Sequence, residues 1–272
     1  MATVTDVDAN AARGRGHTAL ELDATRLPTA VTPLVVLVAA AVAGASALGY
    51  AALVAILGMG GLVLVLGWPR LLDAPAPTEV RVVLLVGVLL QTVTMAATKA
   101  PRLTWMPLAV AIGVVGALVQ QLAQAHRGGR VTAGAAASVS ALAVLASGLA
   151  MAPLADRPLG PRFLLVAMAG IAAGALAELS GRHRRIRGAA VLVVLVAGAL
   201  GSWLTAALFA DGVKAMTAIG LGMLVASLSY SMRHVLGALT GREAPWGQAA
   251  LVVASVLVPG VCLLALGQMA GV

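Results

Sequence analysis

The chain has 272 residues, of which 61% are hydrophobic and only 10% charged, and its mean hydropathy is +1.01. A soluble domain carries about a quarter charged residues because its surface must be solvated, so this composition excludes a soluble globular protein. The net charge of +8 does not indicate nucleic acid, because the basic residues lie in short segments between apolar runs and aromatic residues make up 3%.

Residues 1–30 are polar and of mixed charge, which predicts a flexible cytoplasmic tail. A cleaved signal peptide is the alternative, since Ala45-Ser46-Ala47 follows an apolar stretch and resembles a cleavage site of small residues. The region that leads up to it is too long and too acidic for a signal peptide. We therefore expect residues 31–272 to form a single transmembrane helical domain.

The rest of the chain is a series of apolar runs separated by short polar breaks. A spanning helix needs about 20 apolar residues, and on that measure the sequence predicts an all-α polytopic transmembrane bundle of nine spans. The predicted spans are residues 31–48, 50–67, 80–98, 105–123, 131–153, 163–179, 188–210, 214–232 and 248–270. Only a tight turn around Gly49-Tyr50 divides the first two, so whether they form a true hairpin is left open.

The distribution of basic residues predicts the orientation of the spans. Residues 180–187 contain four arginines, Arg182, Arg184, Arg185 and Arg187, and loops that stay in the cytoplasm keep their Lys and Arg. With nine spans and the tail inside, 13 of the 18 Lys and Arg are cytoplasmic, whereas merging the first two spans leaves only 8 inside. We expect a multi-pass protein of the cytoplasmic membrane with an external C-terminus, whose four arginines contact anionic lipid headgroups.

Polar side chains within the predicted spans suggest a cavity that opens to the cytoplasm. Gln91 and Thr94 share one face of the third span, at helical spacing with Thr98. Near the inner end of the fourth span, the carboxamides cluster at Gln120, Gln121 and Gln124. Hydrogen bonding between helices is the alternative interpretation of such residues.

No catalytic, metal or cofactor site is predicted. None of the ten acidic residues falls near the middle of a span; the closest to the membrane is Glu178, four residues before Arg182. That spacing predicts a local ion pair, and a headgroup or nucleotide site formed with the arginine cluster is the alternative. The four histidines lie in separate segments, and Cys262 is the only cysteine, which excludes an intramolecular disulfide.

Glycine and proline interrupt two spans at depth, at residues 58–61 and at Pro259-Gly260. Such positions expose backbone for ligands in some transporters, but plain kinks are also tolerated in helix bundles, and we expect kinks here. Gly170 and Gly174 form a Gly-x-x-x-Gly pair, which we interpret as packing within the bundle rather than as a dimer seam.

The segment Gly-Trp-Pro-Arg-Leu-Leu-Asp-Ala-Pro at residues 67–75, residues 121–131 and the Ala/Ser-rich fifth span together resemble a group of uncharacterised actinobacterial polytopic integral membrane proteins. This resemblance implies no activity. Length and span count are also similar to those of phosphatidate cytidylyltransferases, whose C-terminal signature has no counterpart in this sequence. Residues 211–215 match only the start of the CDP-alcohol phosphotransferase motif, because Met216 stands where that motif has arginine.

Three functions from different classes are compatible with these patterns. The first is a non-catalytic membrane subunit or scaffold, with a membrane protein as partner. The second is a permease-like transporter for a lipid or small apolar solute that uses the glutamine cavity. The third is a lipid-headgroup enzyme, for which the acidic metal ligands are missing from the sequence.

Overall fold

The computed structural model describes six stretches of the chain, residues 30–74, 77–98, 103–125, 131–180, 189–238 and 244–272. They contain ten α-helices and a short 3-10 turn at Ala152–Asp156. The helices are α1 Val31–Leu48, α2 Tyr50–Leu71, α3 Pro77–Ala97, α4 Met106–Ala125, α5 Val131–Ala150, α6 Gly160–Ser180, α7 Ala190–Phe209, α8 Ala215–Gly237, α9 Pro245–Leu257 and α10 Gly260–Met269. The predicted tail lies, apart from Ala30, outside the described residues.

Within these stretches, nine segments are long and apolar enough to cross a membrane, and α9 and α10 together form the last of them. The predicted all-helical, multi-pass architecture is therefore confirmed. The largest difference between a predicted and an observed span boundary is at α8. This helix continues to Gly237, whereas the sequence predicts that the span ends at residue 232. The orientation of the spans stays a prediction from the basic residues.

The first two spans are separate helices that pack on each other. They are divided by Gly49, whose φ of 110° lies in the region that disfavours residues with a side chain. The helix resumes at once, because the Gly49 carbonyl accepts a hydrogen bond from Leu53 N–H at 3.1 Å. One glycine is thus enough to turn a 41-residue apolar stretch, Val31–Leu71, into two spans.

The bundle has two groups of helices joined by α1 and α9. In the first group α6, α7 and α8 pack closely together, and in the second α2, α3, α4 and α5 pack in chain order. α1 contacts both groups, and α9 contacts α1, α2, α5 and α8 and is buried continuously from Ala250 to Leu257. The most exposed spans are α4 and α7, of which 28% and 22% is buried.

Small residues allow the backbones of α6, α7 and α8 to approach closely. A methyl group added at Gly222 of α8 would lie 2.3 Å from the Gly198 carbonyl oxygen of α7, and one added at Gly170 would lie 3.0 Å from the Gly222 Cα. One added at Gly174 would lie 3.0 Å from the Ala226 Cβ. Gly170 and Gly174 therefore serve packing inside the chain, as the sequence predicts, and van der Waals contact of this kind drives helix association in lipid.

The two predicted interruptions behave differently. Helix α2 runs unbroken through Gly58, Gly60 and Gly61, whereas Pro259 separates α9 from α10. Ser147 of α5 repairs the break, since its hydroxyl donates to the Val258 carbonyl at 2.7 Å and accepts from Val261 N–H at 3.2 Å. Two backbone groups at the break are thus satisfied by a neighbouring helix, as plain kinks in membrane helices require.

Replacing Ser147 by alanine is expected to lower the free energy of unfolding by about 1–3 kcal/mol, because two backbone groups within a membrane span lose their partner and lipid offers no replacement. The matched control is Ser255→Ala on α9, whose hydroxyl bonds only to Val252 of its own helix at 2.8 Å. Denaturant titration of both variants in detergent micelles tests the difference. Equal losses in the two variants would contradict the bridging role.

The ring of Trp68, near the end of α2, lies inside the bundle and makes polar contacts there. The side chain is 1% exposed, and its Nε1–H donates to the Ala137 carbonyl at 3.0 Å and to the Ser140 hydroxyl at 3.2 Å. The indole therefore fastens α2 to α5 inside the bundle, because its N–H finds partners on a neighbouring helix instead of at the headgroups.

A reporter fused after Val272 through a flexible linker is expected to report an external location. The linker is needed because Val272 is 8% exposed, and its N–H donates to the Gly267 carbonyl at 2.9 Å. An alkaline phosphatase and a fluorescent-protein fusion at this position test the orientation, since the first is active outside the membrane and the second fluoresces inside. A cytoplasmic signal would overturn the predicted orientation.

Candidate functional site

Four of the five predicted cavity residues have described side chains. Gln91 on α3 is 0% exposed and Gln121 on α4 is 1% exposed, while Thr94 and Gln120 are half-buried. Gln124 belongs to α4, but its side chain lies outside the described part of the structure. The polar residues singled out by the sequence are therefore largely interior.

Glycines set the spacing of the helices that carry these carboxamides. A methyl group added at Gly87 of α3 or Gly113 of α4 would lie 2.4 Å or 3.0 Å from the Leu142 side chain of α5. One added at Gly134 of α5 would lie 2.4 Å from the Gln121 Nε2. The Gln121 carboxamide thus rests directly against the α5 backbone.

The structure does not bring all the predicted cavity residues together. Gly87 and Gly113 lie at the same level, since the Gly87 Cα is 3.9 Å from a methyl group added at Gly113. Gln91 lies four residues after Gly87 on α3, and Gln121 lies eight residues after Gly113 on α4. Because the two helices run in opposite directions, the two carboxamides lie on opposite sides of that level. At 1.5 Å per residue the two carboxamides are about 18 Å apart along the bundle, so they belong to two separate places.

Both buried carboxamides lack hydrogen-bond partners among the described residues, at Nε2 as well as at Oε1. The same holds for the Gln120 Oε1 and the Thr92 Oγ1. A carboxamide has two N–H donors and an oxygen acceptor, and leaving such a group unpaired inside a protein costs about 1–3 kcal/mol. Hydrogen bonds between the described helices therefore do not account for Gln91 or Gln121.

A second polar group joins α6 to α8 and is the main feature that the sequence analysis missed. Arg233 Nε donates to Glu178 Oε2 at 3.0 Å, and Nη2 lies 3.0 Å from the same oxygen. Arg233 Nη1 donates to the Ser229 hydroxyl at 2.6 Å. The Arg233 side chain is 1% exposed and that of Glu178 is 17% exposed, so this is an internal ion pair.

The other oxygen of Glu178 faces the surface of the bundle. Its Oε1 lies 3.4 Å from His234 Nε2, and the His234 side chain is 42% exposed. The Tyr230 and His234 rings are in contact, with centroids 4.0 Å apart. Both carboxylate oxygens are therefore engaged by groups of α8.

The ion pair continues the small-residue interface described above. Gly170, Gly174 and Glu178 follow one another at intervals of four on α6, and Arg233 stands four residues after Ser229 on α8. Residues three and four apart share a helix face, so the spacing of Gly222, Ala226, Ser229 and Arg233 was a usable signal. Hydropathy hides this signal, because the apolar run ends at residue 232 and the sequence therefore predicts Arg233 in a cytoplasmic loop.

Arg182, the predicted local partner of Glu178, lies outside the described residues. The same applies to the rest of the predicted lipid contact, Arg184, Arg185 and Arg187. Within the described stretches, no group of three or more His, Cys, Asp or Glu side chains is arranged to hold a metal ion.

The arrangement can hold helices together and can hydrogen-bond a ligand at the unpaired carboxamides. The resemblance to actinobacterial membrane proteins stays a prediction from short runs of sequence. No protein-family model matches the chain, and no curated protein or solved structure is similar to it.

Proposed function

We propose that this protein is a non-catalytic membrane subunit or scaffold. The observation that carries the proposal is the ion-pair network at Glu178, a carboxylate near the end of a span that contacts Arg233 with one oxygen and His234 with the other. Ionisable side chains inside membrane bundles pair with one another, and polar contacts of this kind hold helices together. Glu178 and Arg233 join two helices of this chain in this way, which supports a structural role.

The exposed face of α1 offers a place where a partner helix could approach closely. Ala40, Gly44 and Ala47 are exposed at intervals of four and three residues, and a methyl group added at Gly44 would meet nothing within 4 Å. Small residues on a membrane helix permit close backbone contact with another helix.

Native mass spectrometry of the protein, extracted mildly from its own membrane, tests this function. A second polypeptide at fixed stoichiometry is expected, and Gly44→Leu should weaken its retention. Gly116→Leu on α4 is the matched control, because Gly116 is also exposed and also has nothing within 4 Å of an added methyl group. A lone chain under the mildest extraction would contradict the subunit function.

A permease-like transporter for a lipid or small apolar solute is the second candidate, favoured by the unpaired carboxamides of Gln91 and Gln121. Its test is reconstitution into liposomes with a fluorescent short-chain phospholipid. Transbilayer movement above that of protein-free liposomes, lost in Gln91→Met and Gln121→Met, would support transport. Movement that is unchanged in both variants would contradict a role for these residues.

The location that we propose is the cytoplasmic membrane, with the four arginines of residues 180–187 facing anionic headgroups. Neutral replacements of all four should disturb orientation or insertion first, because basic loops set topology. Fusion reporters at Val272 measure this. Normal insertion together with lost binding to anionic liposomes would instead give the loop a dedicated lipid-binding role.

A further inference from the structure

Gln91 lies deep within its span. It stands fourteen residues after Pro77, the first residue of α3, which is about 21 Å along a helix of about 31 Å. The hydrocarbon core of a bilayer is about 30 Å thick. An unpaired carboxamide at this position is therefore far from the water that could satisfy it at either membrane surface.

The neighbouring side chains are apolar except for the Thr92 hydroxyl, which is also unpaired among the described residues, and the Tyr50 hydroxyl, which donates to the Met95 carbonyl at 2.7 Å. On the buried face of α3, Gln91 is flanked by Val88 and Met95. The Val88 side chain packs over Gly61 of α2, 2.8 Å from an added methyl group, and Leu145 of α5 approaches the same position to 3.0 Å. Val88, Met95, Gly61 and Leu145 carry no polar side-chain group that could pair with the carboxamide.

This combination is unfavourable for the protein on its own. A residue of similar shape without polar atoms would remove the cost of the unpaired amide, so Gln91 lowers the stability of the empty bundle. A bound molecule that supplies the missing donor and acceptor would remove the same cost. An ionised head group would not fit, because burying an unpaired charge in apolar surroundings costs more than burying a neutral polar group.

We propose that Gln91 is the hydrogen-bonding point of a buried site for a neutral, lipid-soluble molecule whose head carries a donor and an acceptor side by side. Long-chain primary amides and protonated fatty acids have this chemistry, and each can form two parallel hydrogen bonds with a carboxamide. Access is easiest beside α4, which packs mainly on α3 and α5 and is 28% buried. The site is independent of the proposed function, since a subunit or a transporter could equally contain it.

The test uses hexadecanamide and methyl hexadecanoate, two probes with the same chain length, of which only the amide has a donor. Purified full-length protein in neutral detergent is incubated with each probe, and binding is measured by native mass spectrometry and by the rise in melting temperature. The wild type is expected to bind one hexadecanamide at least about tenfold more tightly than the ester, because the ester loses a buried hydrogen bond.

Gln91→Met is expected to lose this preference and, without any probe, to melt at the same or a higher temperature than the wild type. The stability readout distinguishes a lost site from a misfolded protein, and Gln91→Leu is the second variant if the methionine variant does not express. Gln268→Leu removes the same group from an exposed position on α10 and should leave binding unchanged. Equal binding of amide and ester, binding retained in Gln91→Met, or no binding of either probe by the wild type would overturn the proposal.

Discussion

Replacing Glu178 by leucine is expected to lower the free energy of unfolding by about 3–5 kcal/mol, because it leaves a buried arginine without its counter-charge. The Arg233 side chain is 1% exposed and would keep only the Ser229 hydroxyl as a described side-chain partner. Replacing Arg233 by methionine should cost clearly less. The Glu178 carboxylate is 17% exposed and would still have His234 3.4 Å away.

The double variant Glu178→Leu/Arg233→Met should recover most of the stability that Glu178→Leu loses, since two apolar side chains can replace an internal ion pair. Unfolding in mixed detergent micelles, followed by circular dichroism, measures all three variants. The control Arg70→Gln, at an exposed position near the end of α2, should behave as wild type. Losses that simply add in the double variant would show that the two residues are not coupled.

Replacing Gly222 by alanine is expected to destabilise the protein by about 1–3 kcal/mol, the usual effect of overpacking. The added methyl group would lie 2.3 Å from the Gly198 carbonyl oxygen and 2.6 Å from the Ser202 hydroxyl. Since the first of these atoms is backbone, α7 would have to move away from α8. The displacement should also weaken the contacts of Gly170 on α6, which meets the same pair of helices.

The matched control lies two residues away on the same helix. Gly220 is exposed and has nothing within 4 Å of an added methyl group, so Gly220→Ala should stabilise α8 by about 0.5–1 kcal/mol through helix propensity alone. The same unfolding measurement compares the two variants. If both substitutions changed stability in the same direction, close packing of α6, α7 and α8 would not be the cause.

The sequence by itself determined the membrane class, the helical fold and the number and approximate limits of the spans. These properties depend on local composition, because each span must be apolar over its own length and must satisfy its own backbone hydrogen bonds. The separation of α1 from α2 could also be predicted, from length and from the distribution of basic residues. The identification of Gln91 and Gln121 as interior polar residues followed from their positions within apolar runs.

Only the tertiary structure decided which polar groups meet. Glu178 and Arg233 are 55 residues apart in the chain, and their pairing depends on how α6 packs against α8. The predicted cavity residues lie in two separate places, because α3 and α4 run in opposite directions and their packing puts Gln91 and Gln121 at different depths. Hydropathy measures how well a residue suits lipid. The partner of a polar side chain depends on the register between two helices, and the sequence of one span does not encode that register.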